Sequence, residues 1–135
     1  MVAFVADNSV VLSWFYPRQA TDYTERLLTL SDHAEVHTAF IWPAEITNAA
    51  LNLAKRKLIK KTDVDMLLDS VFSFGLKTAT PPSDYRRLFE LADEFELTTY
   101  DAAYLELAQR LAVPLATRDQ ALLKAARLMN LNLDS

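Results

Sequence analysis

The sequence predicts an α/β fold in which helices cover both faces of a mostly parallel sheet. Short apolar segments alternate with longer helical segments, and strands joined by such long connections pair in parallel. The first segment, residues 2–6, is a continuous apolar run, which is typical of a strand buried on both faces. The 135 residues suffice for a core that needs no disulfide or structural metal. We therefore expect residues 1–135 to form a single three-layer α/β/α sandwich domain with four or five strands.

The first half of the chain predicts two strands and four helices. Strands are expected at 2–6 and 35–38, and helices at about 10–16, 20–32, 44–57 and 63–74. Pro17 should end the first helix, whereas Pro43 stands at the start of the third, where proline is well tolerated. Thr62 is expected to cap the fourth helix, and Gly75 to end it.

The second half predicts three further helices and two or three further strands. Strands are expected at 76–79 and 113–116, with a possible short edge strand at 131–133, and helices at about 83–96, 101–111 and 117–129. The pair Pro81-Pro82 precedes the first of these helices. The residues of that helix at core spacing are Tyr85, Leu88, Phe89, Ala92 and Phe95.

The composition excludes several classes of protein. The chain has no cysteine, which excludes a disulfide framework, a thiol nucleophile and a zinc finger, and fits a cytoplasmic location. Gly75 is the only glycine, so neither a glycine-rich dinucleotide loop nor a P-loop can be written. The net charge of −4 excludes a broad basic surface, so any surface that binds nucleic acid must be a small local patch. We expect no membrane association, because no apolar run is long enough to span one and the start lacks the basic residues of a signal peptide.

Four acids stand alone at equivalent places, each after a short apolar or extended segment and in the first turn of a predicted helix. They are Asp7, Glu45, Asp101 and Asp119. Taken singly, each has a structural explanation, because carboxylates cap helices and favour the positive end of the helix dipole. Thr98 with Asp101, and Thr117 with Gln120, also have the spacing of a capping box.

Taken together, the four acids predict a metal site. The carboxyl ends of parallel strands meet at one edge of a sheet, where α/β proteins form their ligand sites. Carboxylates gathered there would repel one another strongly unless a cation held them together. No other catalytic grouping is evident in the chain, so we expect a divalent metal ion and metal-assisted chemistry.

Four ordered blocks of sequence resemble the PIN-domain nucleases, and in particular the VapC toxins of toxin–antitoxin pairs. The blocks are Val-Ala-Asp7-Asn-Ser9 with Trp14 downstream, Trp42-Pro-Ala-Glu45-Ile-Thr-Asn48, Thr99-Tyr-Asp101-Ala-Ala-Tyr104-Leu-Glu-Leu-Ala108, and Leu115-Ala-Thr117-Arg-Asp119. Each block is weak alone, but their order and spacing extend the resemblance over nearly the whole chain. It implies a PIN fold with strand order 3-2-1-4-5, in which the C-terminal residues offer only a thin fifth strand.

The resemblance also implies roles for individual residues. The four acids would be the quartet that binds Mg²⁺ or Mn²⁺, ions that hard carboxylate oxygens select over zinc. Ser9 and Thr117 stand where the family often places a hydroxyl that supports the site, and Asn48 would brace a ligand from the third helix. Arg118, next to Asp119 at the expected cleft, is the candidate for contact with a substrate phosphate.

The function implied by the resemblance is that of a metal-dependent endoribonuclease, the toxin of a type II toxin–antitoxin pair. The substrate would be RNA, cut to leave a 5′-phosphate and a 3′-hydroxyl, and the inhibitor a small VapB-type antitoxin. Family members are commonly homodimers, so a homodimer is expected here. The successive aromatic residues Trp14, Phe15 and Tyr16 cannot all face the core, so one is expected to meet a partner or the rim of the cleft.

Two alternatives stay open. The first is a catalytically silent PIN module that binds RNA or a protein partner, although the presence of all four acids favours catalysis. The second is an acid-dependent phosphotransfer or phosphatase domain. A haloacid-dehalogenase-type enzyme needs a second aspartate two residues after the first, where this chain has Ser9. A receiver domain needs an acid pair after the first strand, where Asn8 follows Asp7.

Overall fold

The computed structural model describes residues 2–134, in which short parallel strands alternate with helices. The strands are β1 (Val2–Ala6), β2 (Ala34–Thr38), β3 (Lys77–Thr78) and β4 (Leu115–Ala116). The helices are α1 (Asn8–Phe15), α2 (Asp22–Ser31), α3 (Trp42–Lys55), α4 (Lys61–Ser73), α5 (Arg86–Phe95), α6 (Thr99–Leu111) and α7 (Gln120–Leu128), and a 3₁₀ turn at Pro17–Gln19 follows α1. The alternation predicted from the sequence is confirmed. Along residues 2–134, no helix combines the length and apolar character needed to cross a bilayer.

The sheet has the strand order β3-β2-β1-β4, and each neighbouring pair is parallel. Val5 in the central strand β1 lies between His37 of β2 and Leu115 of β4. With helices on both faces, the architecture is the expected three-layer α/β/α sandwich. The four strands also occupy the positions that the family resemblance implies.

The fifth strand position holds a single bridge rather than the strand expected at 131–133. Leu115 forms an isolated parallel bridge with Asn132, between hydrogen bonds to the backbones of Leu131 and Leu133. Because β4 has only two residues, it offers one pairing position on this side. The sheet therefore narrows to a bridge at this edge.

Among the described helices, α6 has the most buried residues, and it carries one of the predicted site acids in its first turn. Seven successive residues, from Ala102 to Ala108, are buried in this helix. A helix buried on all sides lies inside the molecule rather than on its surface, and α6 packs against β1, α5 and α7. In strand β1, against which α6 packs, Phe4, Val5 and Ala6 are fully buried. Asp101 and Asp7 thus both stand on well-anchored backbone.

Helix α5 begins later than expected and buries a narrower face. It starts at Arg86, because residues 79–85 after β3 form an irregular connection that includes the two prolines. Leu88 and Leu91 are buried against the core, whereas Tyr85 and Phe89 are 59% and 67% exposed. The prediction that Tyr85 and Phe89 face the core is therefore wrong, since only one stripe of α5 meets α6.

The start of α4 also differs from the prediction. The helix begins at Lys61 with Lys60 as its cap, and the backbone N–H of Lys60 donates to Asp63 Oδ2 at 3.1 Å. Thr62 is therefore inside the helix and does not cap it, because the helix already begins at Lys61. The predicted end is confirmed, because Gly75 follows the helix with φ of +99°, a conformation that favours glycine.

Candidate active site

The four predicted acids all follow the carboxyl ends of strands or stand in first helical turns at that side of the sheet. Asp7 follows β1 and caps α1, and Asp119 follows β4 and caps α7. Glu45 lies in the first turn of α3, after β2, and Asp101 in the first turn of α6. The backbone N–H of Asp7 donates to the carbonyl of Ala116 at 3.2 Å, which joins the ends of β1 and β4.

Asp7 is the most buried of the four acids and has hydrogen-bond donors on both carboxylate oxygens. It is 5% exposed. Its Oδ1 accepts from the Ser9 hydroxyl at 2.6 Å and from the backbone N–H of Val10 at 3.2 Å, while Oδ2 accepts from the Thr117 hydroxyl. Three donors, two from α1 and one from the loop after β4, thus fix the orientation of this carboxylate. Ser9 and Thr117, for which the resemblance implies a supporting role, both donate their hydroxyls to Asp7.

Burial nevertheless disfavours the ionised form of Asp7. Desolvation raises the pKa of Asp7 to about 6, against the lowering effect of the Ser9, Thr117 and Val10 hydrogen bonds, and the charge of Asp101 adds to the rise. The hydrogen bonds therefore compensate the buried charge only in part. A positive charge brought to this carboxylate would stabilise its ionised form.

Glu45 is held by a residue to which sequence analysis assigned no role, Tyr104. This tyrosine is 1% exposed, and its hydroxyl donates a hydrogen bond to Glu45 Oε1. Burial raises the pKa of Glu45, the Tyr104 hydrogen bond lowers it, and the charges of Asp7 and Asp101 raise it further. Burial also raises the pKa of Tyr104, so its hydroxyl stays protonated and acts as the donor. Its place one turn after Asp101 indicates only the side of α6 on which it lies, because the contact with Glu45 joins residues 59 positions apart.

Asp101 and Asp119 are more accessible than Asp7. The Thr98 hydroxyl accepts from the backbone N–H of Asp101 at 3.1 Å, so Thr98 caps α6. Partial burial raises the pKa of Asp101, and the charge of Asp119 raises it further. Asp119 is exposed, and its Oδ2 accepts from the backbone N–H of Leu122 at 2.9 Å.

The predicted capping box of Thr117 with Gln120 is wrong. Asp119 caps α7 instead, because the Thr117 hydroxyl is already engaged in the site. It donates to Asp7 and accepts from the backbone N–H of Asp119 at 3.0 Å. Thr117 therefore connects two of the acids rather than capping a helix.

The chemistry of the donor set suits a hard divalent cation, although the side chains do not already surround one point. Charge interactions connect Asp7 with Asp101 and Glu45, and Asp101 with Glu45 and Asp119. All the donors are carboxylate oxygens, the ligands that Mg²⁺ and Mn²⁺ take. Within residues 2–134, no three such side chains are spaced to hold a metal ion as they stand. A cation at this site would have to draw the more exposed carboxylates toward Asp7.

The two remaining predicted residues differ in their relation to the acids. Arg118 lies beside them, since its backbone N–H donates to Ser9 Oγ at 3.2 Å, and its guanidinium donates to the carbonyl of Gln19 at 2.8 Å. It braces the loop before α7 against the 3₁₀ turn, and phosphate contact stays a prediction. Asn48 is exposed and lines a groove between α3 and α4 with Leu51 and Val64. Its role as a brace for a ligand also stays a prediction.

A second groove lies between α1 and α4, and we call it the aromatic groove. It is lined by Trp14, Phe15, Tyr16, Ile59, Asp63, Met66, Leu67 and Ser70. The ring of Phe74 packs against those of Trp14 and Phe15, with ring centroids 5.7 and 5.4 Å apart. All three successive aromatics are partly buried, and Met66 is 71% exposed. The aromatic run thus forms the wall of an open apolar groove.

Comparison with solved structures shows the same fold in three proteins. PAE2754 from Pyrobaculum aerophilum has a TM-score of 0.70 at 21% identity, over 92% of this chain and 84% of that one. VapBC2 from Rickettsia felis, solved bound to a DNA fragment from its promoter, has a TM-score of 0.70 at 18% identity, over 98% of both chains. FitAcB from Neisseria gonorrhoeae has a TM-score of 0.56 at 19% identity, over 91% and 93%.

Comparison of sequences gives the family. Ribonuclease VapC3 from Pyrobaculum aerophilum is 28% identical over 120 residues, which cover 87% of this chain and 90% of that protein. The family model of the PIN domain matches residues 4–128, a span that includes all four acids and the strands β2, β3 and β4 in full. The chain therefore belongs to the PIN domain family.

Proposed function

We propose that this protein is a metal-dependent endoribonuclease of the VapC type, the toxin of a type II toxin–antitoxin pair. The observation that carries the proposal is the buried carboxylate of Asp7. Three hydrogen-bond donors hold it, and it interacts electrostatically with the carboxylates of Asp101 and Glu45. A cation bound there would compensate this negative charge. The likeness to a ribonuclease of the same family over most of both chains supports RNA as the substrate class.

The four acids would hold Mg²⁺ or Mn²⁺, with Asp7 as the fixed ligand and Asp101 and Asp119 as the accessible ones. When bound, the ion supplies positive charge for the phosphodiester and acidifies water for attack on it. The residues of the chain orient the site: Ser9 and Thr117 fix Asp7, and the loop with Arg118 is braced beside them. Without a cation, the clustered carboxylates would repel the RNA backbone.

The test is cleavage of a mixed RNA pool, with the product ends identified. We expect cleavage with Mg²⁺ or Mn²⁺ that leaves 5′-phosphates, no cleavage in EDTA, and poor turnover with Ca²⁺, whose coordination is looser. Full activity in EDTA would contradict the metal-dependent reading. Absence of cleavage under every ionic condition, with RNA binding retained, would instead support a catalytically silent module.

We propose that the partner is a small VapB-type antitoxin that binds the aromatic groove with an apolar helix. Its C-terminal segment would reach the acids with an arginine, which can bind carboxylates through two hydrogen bonds and exclude the metal. Co-expression should yield a complex, and hydrogen exchange should show protection at residues 7–16 and 98–119. Protection confined to distant segments would contradict occlusion of the site.

A homodimer is also proposed, and light scattering of the purified chain tests it.

A further inference from the structure

We infer that Tyr104 is a positioning residue that orients Glu45 toward the cation, an inference that rests on the proposed function. The geometry that carries it is a polar contact between two helices. Tyr104 lies in the middle of α6, Glu45 lies in the first turn of α3, and the tyrosine hydroxyl donates to Glu45 Oε1. This bond engages one oxygen of the carboxylate and leaves Oε2 for the ion.

The surroundings of Tyr104 make this hydroxyl a fixed reference point. The residue is 1% exposed, and its neighbours along α6, from Ala102 to Ala108, are buried as well. A tyrosine buried to this degree places its hydroxyl where the ring packing dictates, and the hydroxyl needs a partner there. The Glu45 carboxylate provides that partner. The position of Glu45 is therefore set by the core rather than by its own flexible side chain.

The spacing along α6 adds a second argument. Asp101 and Tyr104 are three residues apart in the same helix, so they lie on neighbouring positions of one face. Asp101 offers its own carboxylate to the site, and Tyr104 holds the carboxylate of Glu45. One rigid helix thus controls two of the four acids, and their charges already act on each other. Asp7 needs no such help, because Ser9 and Thr117 hold it.

The experiment compares Mn²⁺ affinity by calorimetry in Tyr104→Phe and in the matched control Tyr100→Phe. Both variants remove one hydroxyl from α6, but Tyr100 is 64% exposed and stands outside the core. Loss of a group that orients a metal ligand usually weakens metal binding by about 10–100-fold. We expect Tyr104→Phe to raise the Mn²⁺ dissociation constant by at least about 10-fold, and Tyr100→Phe to leave it unchanged.

A double-mutant cycle tests whether Tyr104 acts through Glu45. Glu45→Gln keeps an acceptor for the hydroxyl but removes the charge, so adding Tyr104→Phe to it should not weaken Mn²⁺ binding further. If the two effects simply add, Tyr104 acts by another route and the inference is wrong. Wild-type affinity in Tyr104→Phe would overturn it as well, while leaving the proposed function intact.

Two further outcomes are distinguishable. If Tyr104→Phe does not fold, as judged by circular dichroism, Glu45→Asp breaks the same bond from the acid side by shortening the side chain. Wild-type Mn²⁺ affinity in Glu45→Asp would then contradict the inference. If the wild-type protein itself binds no Mn²⁺, both the proposed function and the role of Tyr104 fail.

Discussion

At the scale of single residues, the ionisation of Asp7 opposes folding when no metal is bound. Its pKa of about 6 in the folded protein lies above the ordinary value of 3.8, because burial disfavours the charge. Between pH 3.8 and about pH 6, the folded protein therefore binds the proton of Asp7 more tightly than the unfolded chain does. The stabilisation that protonated Asp7 contributes is present below about pH 4 and is lost as the pH rises through 6, by about 3 kcal/mol in all.

Asp7→Asn should remove this pH dependence. In metal-free buffer with EDTA, the free energy of unfolding of the variant relative to wild type should rise by up to about 3 kcal/mol between pH 4 and pH 8. Urea unfolding at several pH values measures it, with Asp93→Asn on α5 as a control for loss of one surface charge. A pH-independent difference between Asp7→Asn and wild type would show that burial of Asp7 is not what governs its ionisation.

Asp101 allows the metal reading to be separated from a purely structural one. Asp101→Asn keeps the size of the side chain and the backbone N–H of residue 101, which donates to the Thr98 hydroxyl in the helix cap. Cleavage should fall by at least about 100-fold, the upper range for groups that merely support a metal ligand. Stability without metal should be equal or higher, since repulsion from Asp119 and Glu45 is relieved. Retained cleavage with a large loss of stability would favour a capping role.

At the scale of elements, α5 tests which residues support the core. Leu91 is fully buried, whereas Phe89, two positions earlier, is 67% exposed. We expect Leu91→Ala to lower the free energy of unfolding by about 2–5 kcal/mol and Phe89→Ala to change it by less than about 0.5 kcal/mol. Urea unfolding in metal-free buffer measures both. Equal losses would mean that the exposed face of α5 is covered in solution.

The same helix shows how far sequence patterns reach. The apolar run of β1 and the long helices between strands predicted a parallel three-layer fold. A strand that is covered by helices on both faces has apolar residues at every position, as β1 does. In α5, two apolar stripes compete, and only the packing against α6 decides between Leu91 and Phe89. Caps were ambiguous for a similar reason, since a hydroxyl such as that of Thr117 serves either a helix end or a neighbouring carboxylate. The role of Tyr104 depends on a contact between distant segments that no local pattern contains.

At the scale of the whole molecule, the net charge of −4 and the cluster of four acids both disfavour the binding of RNA. RNA is a polyanion, and the edge of the sheet that carries Asp7, Glu45, Asp101 and Asp119 is negative in the absence of an ion. A divalent cation would neutralise the acids, lower the pKa of Asp7 and make the edge compatible with a phosphodiester. The same cluster would be a natural target for an inhibiting arginine. In the proposed function, metal binding, catalysis and inhibition would all depend on one set of carboxylates.

Anomalous scattering from crystals grown with Mn²⁺ near pH 7.5 would locate the ion and so distinguish a metal site from four separate helix-end acids. We expect a Mn²⁺ peak coordinated by Asp7 and by carboxylate oxygens from at least two of Glu45, Asp101 and Asp119. In crystals of Asp101→Asn under the same conditions, the peak should weaken or disappear. A map with no peak at this edge of the sheet, or with Mn²⁺ bound only elsewhere on the protein, would show that these acids do not form the metal site.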